Sequence, residues 1–190
     1  MITGHFGLAA GVKKFAPRLP LWSLLLASFW LDIIFLILSM FGLESYTAMD
    51  PVNPAYGDVI INAPYTHSLI GAILISFLTE WLASLRWGKK GGIVIGLVVF
   101  SHWILDLLVH RPDLPIVPGN LGNLPLLGFG LWQYPRLSGA LELVLAIGGT
   151  VLYWVGAAKL KRGQRRRAVV ASVVTGALLF LLFLLNIFGL

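Results

Sequence analysis

Three residues that could bind a metal are spaced four apart in one apolar segment: His102, Asp106 and His110, in the sequence SHWILDLLVHRPD. In an α-helix, steps of four keep side chains on one face, with a drift of only about 40° per step. Two imidazoles and a carboxylate on one face of a lipid-embedded helix are costly unless something pairs with them. These residue types therefore predict a divalent cation as their partner.

Four further ionisable residues lie in apolar segments: His5, Asp32, His67 and Glu142. Taken singly, each has an ordinary interpretation, because a lone His is typical of a hydrogen-bonded structural residue and a lone Asp of a buried pair or a proton relay. Taken together, the four His all fall where a central site could use them. The chain has no cysteine, so a metal must be held by nitrogen and oxygen. Such ligands suit Zn, and also Mn, Fe or Ni.

Long apolar runs make up most of the chain. Of its 190 residues, 58% are hydrophobic and 12% are charged, about half the charge of a typical soluble domain. The mean hydropathy is +0.87. The runs are near the ~20 residues that cross a bilayer. They predict an all-α helix bundle, a single integral membrane domain over residues 1–190, with five transmembrane spans at about 21–43, 64–86, 91–110, 138–158 and 168–189.

The basic residues predict an orientation. Twelve of the 14 precede the first span or separate the second from the third and the fourth from the fifth, which leaves only Arg111 and Arg136 on the other side. The positive-inside rule then predicts a plasma (inner) membrane protein with a cytoplasmic N-terminus and an outer C-terminus. Basic residues in these positions set topology or touch membrane lipid, so the net charge of +6 does not indicate nucleic-acid binding. The oligomeric state stays open.

Residues 1–12 form an apolar segment that is too short to cross a bilayer. A helix of this length would reach about 18 Å, roughly to mid-bilayer, and would direct His5 at Asp106. We therefore predict a re-entrant N-terminal helix, with a helix flat on the membrane surface as the alternative. The outer loops at 44–63 and 111–137 are rich in Pro, Gly and Asn, which predicts irregular structure.

The depths of the candidate ligands raise a difficulty for a single site. Counted at ~1.5 Å per residue from the cytoplasmic edge, Asp32 and His102 lie near ~16 Å, Asp106 near ~22 Å, and His67 and His110 near ~28 Å. One ion cannot bind ligands spread over about 12 Å, since metal–nitrogen bonds are ~2.0–2.1 Å. The spread requires two metals, an axial funnel, a tilted helix, or a second span that starts elsewhere than at residue 64.

An ordered set of short motifs runs through residues 1–142. In chain order they are Thr3-Gly4-His5, Asp32, Thr66-His67-Ser68, and His102 with Asp106. In this order they resemble the YdjM-like family of bacterial inner-membrane metal-dependent hydrolases. They are also distantly similar to the zinc-dependent phospholipase C and nuclease group.

The resemblance implies a set of metal ligands. Asp32, His67, His102 and Asp106 would form one site, and Asp106 would bridge to a second metal held also by His5, with the N-terminal amine as a further candidate ligand.

The soluble group's third metal uses a later His and a His-x-x-x-Glu that this chain lacks. His110 and Glu142 are only loose substitutes for those ligands, so one or two divalent ions are expected.

These residues predict a membrane-embedded hydrolase that cleaves a phosphoester with metal-activated water, with a lipid headgroup as the expected substrate. Asp32 or Glu142 is the expected general base. Arg111, Arg136 and Asp113 flank the second outer loop and are candidates for substrate binding. Anchoring at the interface is the alternative for the two arginines, and a turn with Arg111 is the alternative for Asp113.

Two other functional classes stay open. A small transporter or permease subunit could use the same His/Asp line as an ion or proton path, although the sequence has none of the internal repeats that many transporters share. A purely structural membrane protein is the third class. It would leave the three ionisable residues of one helix without a role.

Overall fold

The computed structural model describes residues 1–49 and 56–188 of the chain, and these residues are mostly helical. Within them, six α-helices follow in order: α1 (Ile2–Val12), α2 (Leu21–Ser28), α3 (Trp30–Met40), α4 (Leu69–Val109), α5 (Pro135–Ala158) and α6 (Arg162–Phe188). An antiparallel hairpin of β1 (Ser45–Ala48) and β2 (Val59–Asn62) departs from the predicted all-α class. It lies in the first outer loop, of which residues 50–55 are outside the described part.

Three helices, α4, α5 and α6, are each long and apolar enough to cross a membrane. Helices α2 and α3 pass the same test only as a pair, bent by 51°. The described residues therefore give three candidate spans, or four if the bent pair is one span. This agrees with a helical membrane protein, but the predicted count of five spans is not confirmed.

Helix α4 reverses direction at Gly88, whose φ of 71° and ψ of 169° favour glycine. A Cβ built on Gly96 would lie 3.1 Å from the carbonyl oxygen of Ser76 and 2.8 Å from the Cβ of Glu80. In one continuous helix, Ser76 and Gly96 would be about 30 Å apart along the axis. The 41 residues of α4 are therefore two antiparallel segments, 69–87 and 89–109.

One end of the bundle collects most of the basic residues. The end of α1 meets the end of α5, where Lys14 packs against Gly156, and the α1–α2 loop meets the Gly88 turn, where Leu19 packs against Gly91. We call this the basic end, and it comprises Lys13, Lys14, Arg18, Arg86, Lys89, Lys90 and the six basic residues of 159–167.

Helix α1 lies inside the bundle, with its backbone against that of α5. A Cβ on Gly149 would collide with the carbonyl oxygen of Gly7, and a Cβ on Gly7 would lie 2.6 Å from the carbonyl oxygen of Leu145. Small residues permit this close approach between membrane helices. The contact buries most of α1, including His5, so the alternative of an exposed surface helix does not hold.

The contact between α1 and α5 yields a first prediction. We expect Gly149→Ala to lower the free energy of unfolding by about 1–3 kcal/mol, because the added methyl group overpacks the contact with Gly7. Thermal unfolding of the purified protein in detergent measures the change. The matched control is Gly148→Ala, where no heavy atom lies within 4 Å of the added Cβ. Equal stability of the two variants would contradict the packing described here.

Candidate metal centre

The six predicted metal ligands converge at the end of the bundle away from the basic end. They come from α1 (His5), the first turn of α3 (Asp32), the turn before α4 (His67), the segment 89–109 (His102 and Asp106) and the residue that follows α4 (His110). The four His side chains and that of Asp106 are no more than 4% exposed, whereas the Asp32 side chain is 26% exposed. The cluster is thus closed except at Asp32.

Asp106 lies at the centre of the cluster. Its Oδ1 is 3.1 Å from Nε2 of His5. Its Oδ2 is 3.0 Å from Nε2 of His102, 3.4 Å from Nε2 of His67 and 3.8 Å from Nε2 of His110. Because its two oxygens face different histidines, Asp106 has the geometry of a carboxylate that can bridge two ligand sets.

Asp32 completes a second set of ligands. Its Oδ1 is 3.4 Å from Nε2 of both His67 and His102. A tetrahedral ion with bonds of ~2.0–2.1 Å separates its ligand atoms by about 3.3–3.4 Å, so these distances fit one ion. Two overlapping groups of residues could hold a metal, and the predicted ligand His110 belongs to neither: His5, His102 and Asp106, and Asp32, His67 and His102.

The break between α2 and α3 orients His102. Helix α2 ends at Ser28, and its carbonyl oxygen is 2.7 Å from Nδ1 of His102. A carbonyl only accepts, so Nδ1 of His102 carries the hydrogen and donates it. In a neutral ring, Nε2 then presents a lone pair to the cluster.

A chain of hydrogen bonds orients His67. Glu44, which is 1% exposed, accepts from the Thr66 hydroxyl at 2.7 Å. The hydroxyl has only that one hydrogen, so it must accept from Nδ1 of His67, which lies at 2.8 Å. The indole of Trp103 donates to the His67 carbonyl oxygen at 2.8 Å and fixes the backbone. In the neutral ring, Nε2 of His67 therefore also presents a lone pair to the cluster.

His110 follows the same pattern. Its Nδ1 donates to Oδ1 of Asp113 at 2.9 Å, which leaves Nε2 directed at Asp106. The second outer loop folds back over this ring, and the buried Trp132 lies on it at 4.4 Å between ring centroids. In metal-ligating histidines, the N–H of the second ring nitrogen usually donates to a carboxylate or a carbonyl in this way.

The hydrogen-bond pattern requires positive charge in the cluster. Three lone pairs from His67, His102 and His110 face the carboxylates of Asp32 and Asp106, an arrangement that repels unless a cation lies between them. Extra protons on the rings are the alternative to a metal. Although Nε2 of His102 is 3.0 Å from Asp106, the two form no hydrogen bond of ordinary geometry. The missing hydrogen bond favours a metal over an extra proton on His102.

The predicted spread of ligand depths is wrong for a local reason. Ser68 caps the N-terminus of α4, where its side chain accepts from the Gly71 amide, so α4 begins at Leu69 rather than at residue 64. His67 consequently lies in a turn and reaches back into the bundle. Its ring centroid is 5.5 Å from that of His102 and 6.1 Å from that of His110.

Two of the residues predicted for catalysis or substrate binding lie outside the ligand cluster. Glu142 is buried on α5 and lines a separate cavity of about 360 Å³ with Tyr56 and Trp132. Burial raises the pKa of the Tyr56 hydroxyl, which stays protonated beside Ser138. Arg136 is exposed at the start of α5.

The second outer loop holds the other two substrate-binding candidates in structural contacts. The Arg111 guanidinium donates to the carbonyl oxygens of Gly57 at 3.0 Å and Val59 at 3.2 Å, and so anchors the β-hairpin. Asp113 is the hydrogen-bond acceptor of His110 rather than an unengaged surface carboxylate.

The second-layer partners were not predicted from the sequence. Glu44 accepts from the amides of Tyr65 and Thr66 as well as from the Thr66 hydroxyl. Glu44 lies at the edge of a polar loop, 22 residues before Thr66. In the sequence, only the neighbouring Thr66 and His67 indicated that His67 has a hydrogen-bond partner. The Ser28 carbonyl is a backbone atom with no sequence signal beyond the helix break.

A scan against protein-family models found no match, and searches of curated proteins and of solved structures found none either. The similarity to the YdjM-like family is therefore an interpretation of the short motifs alone. The function is therefore inferred chiefly from the geometry of the His/Asp cluster.

The hydrogen bond between Thr66 and His67 yields a second prediction. We expect Thr66→Val to weaken metal binding about 10–100-fold, because His67 loses the acceptor that fixes its ring. Thr66→Ser keeps the hydroxyl and should bind normally, and Asp106→Ala should abolish binding. Elemental analysis and metal titration of the purified protein measure both effects. A full complement of metal in Asp106→Ala would exclude this centre.

Proposed function

We propose that the protein is an integral membrane metal-dependent hydrolase that cleaves a phosphoester of a lipid or lipid-linked substrate. The observation that carries the proposal is the set of three imidazole lone pairs directed at the buried carboxylate of Asp106 and the partly exposed carboxylate of Asp32. The motif resemblance to membrane metal-dependent hydrolases adds to it. Zinc is the expected ion, as one ion or as a pair bridged by Asp106.

A bound divalent ion would lower the pKa of a water molecule and polarise a phosphoryl oxygen. The side chains supply the rest of the chemistry. His67, His102 and His110 are held by their outer hydrogen bonds and so keep a fixed ligand geometry. Asp32 is the proposed base: it takes the proton as the water oxygen bonds to phosphorus and the ester P–O bond breaks. Asp32 then gives this proton to the leaving oxygen, which restores its carboxylate.

Exposure of the cluster supports catalysis over a closed structural site. Catalytic metal sites keep a position open, whereas structural sites are closed on all sides. Here the exposed fraction of Asp32 marks the open side, and the other ligands are shielded. We propose that substrate approaches at Asp32.

The packing on the other side of the cluster argues against a transport path. Within about two helical turns towards the basic end, the cluster is followed by buried apolar residues that pack together: Ala9, Leu24, Ala27, Val98 and Val99. The buried hydroxyls of Ser23 and Ser28 donate to the carbonyl oxygens of Pro20 and Leu25. An ion or proton path would need a continuous line of free polar groups there. A hydrolase needs access from one side only, so the hydrolase is the better supported of the two classes.

We further propose five spans, with the bent pair α2–α3 as the first and the two segments of α4 as the second and third. The basic end would face the cytoplasm according to the positive-inside rule. The His/Asp centre would then open towards the outer leaflet, where a lipid headgroup can reach it.

The topology yields a third prediction, which the absence of native cysteine makes simple to test. Single cysteines at Gly163 and at Leu121 should react with impermeant reagents from opposite sides of the membrane. The first lies in the first turn of α6, at the basic end, and the second in the second outer loop. Labelling of both from the same side would contradict the five-span arrangement.

The proposed reaction yields a fourth prediction. Purified protein with restored metal should release phosphate or phosphoalcohol from lipid, and Asp32→Asn should slow this by about 100-fold or more. His102→Ala should remove both metal and activity, while Glu80→Gln, remote from the cluster, should retain both. Metal uptake into proteoliposomes without product release would favour the transporter instead.

A further inference from the structure

A cavity of about 460 Å³ lies at the basic end, where α1 meets the α5–α6 connection. Its polar lining consists of Lys13, Lys14, Tyr153, Gln164 and Arg167. His5 and Lys13 are separated by about 12 Å along α1, so this cavity is distinct from the His/Asp centre. Nothing proposed above gives it a function.

Contacts with the protein position the two lysines of the cavity, and the Lys14 amino group lies over the Phe15 ring at 5.2 Å from its centroid. The Lys13 amino group donates to the carbonyl oxygens of Pro17, at 2.8 Å, and Leu19. The backbone and Cβ of Lys14 pack against Gly156, at the same contact that joins α1 to α5. The two lysines therefore line the cavity at defined positions.

The positive charge of this cavity is not balanced by nearby acidic side chains. No Asp or Glu lines it. Within the described part of the chain, Lys13, Lys14 and Arg167 form no ion pair with an acidic residue. Further basic residues lie nearby in the chain, in the α5–α6 connection and the first turns of α6: Lys159, Lys161, Arg162, Arg165 and Arg166. An anion in the cavity would therefore relieve mutual repulsion.

A shallow groove between side chains on the surface of α6 begins beside the cavity. It has a volume of about 490 Å³ and is lined only by residues of α6: Arg166, Arg167, Val170, Ala171 and Val174. Arg167 lines both spaces, and the valines are half-exposed. The groove leads from the basic end onto the apolar surface of a helix that is long enough to cross a membrane. This is the path that an acyl chain would follow from a headgroup at the interface.

We propose that the cavity binds the phosphate of an anionic phospholipid and that one acyl chain lies in the groove along α6. Lysines act on the phosphate as point charges, while the Arg167 guanidinium can donate two hydrogen bonds to its oxygens. Basic pockets between membrane helices take anionic headgroups in this way. The bound lipid would join α1 to α6 and so stabilise the helix that carries His5. The proposal does not depend on the hydrolase.

The test uses the full-length protein in neutral detergent, titrated with phosphatidylglycerol, with bound lipid counted by native mass spectrometry. We expect saturable binding of phosphatidylglycerol and weaker binding of phosphatidylcholine. The double variant Lys14→Gln, Arg167→Gln should bind phosphatidylglycerol about 25-fold more weakly, roughly fivefold for each removed charge. The matched control is Lys161→Gln, Arg165→Gln, which removes the same charge from exposed positions outside the cavity and should bind normally.

Two results would overturn the proposal. Equal weakening in the cavity variant and the control would mean diffuse attraction to the basic end rather than a site. Protection against thermal unfolding by inorganic phosphate, equal to that by phosphatidylglycerol at the same concentration, would mean that no lipid is required. Arg167→Gln alone changes an exposed side chain, so it keeps the test valid should the double variant unfold.

Discussion

The structure depends on one electrostatic constraint: two carboxylates and three imidazole lone pairs share a nearly water-free space inside an apolar bundle. Such a group of acceptors is unfavourable without positive charge, since burial removes the water that would otherwise solvate it. His67, His102 and His110 cannot supply that charge as neutral donors, because their ring hydrogens are already engaged outside the cluster by Thr66, Ser28 and Asp113. Only His5 is hydrogen-bonded within the cluster, from Nε2 to Oδ1 of Asp106 at 3.1 Å. Bound cation and folded protein are therefore expected to be thermodynamically linked.

The irregular parts of the fold hold the side chains of this cluster in place. Where α2 breaks, a helix-terminal carbonyl that would lack an intrahelical partner becomes the acceptor for His102. The second outer loop provides acceptors for the first amides of α4. The amides of Leu69 and Ile70 donate to the carbonyl oxygens of Pro115 and Ile116, respectively. The same loop holds Trp132 over His110. Regular helices position the ligands, and their ends orient them.

The sequence predicted those parts of the site that follow from the geometry of a single helix. Steps of four along one segment placed His102, Asp106 and His110 together, and the length of α1 placed His5 at their level. The position of His67 could not be obtained in this way. It depends on the cap at Ser68 and on a tertiary hydrogen bond from Trp103, and neither has a periodic signal. Glu44 escaped prediction for the same reason, since its partners are distant in the chain.

The packing of α1 also determines when the centre can form. Its backbone rests on α5, and Thr3 accepts a hydrogen bond from Asn186, 183 positions later. During synthesis α1 is made first, yet the helices against which it packs, α5 and α6, are made last. His5 is thus the earliest ligand to be translated, and it waits longest for the helices that hold it. Until they are made, the ligand set lacks His5, and the side of Asp106 that α1 covers stays open.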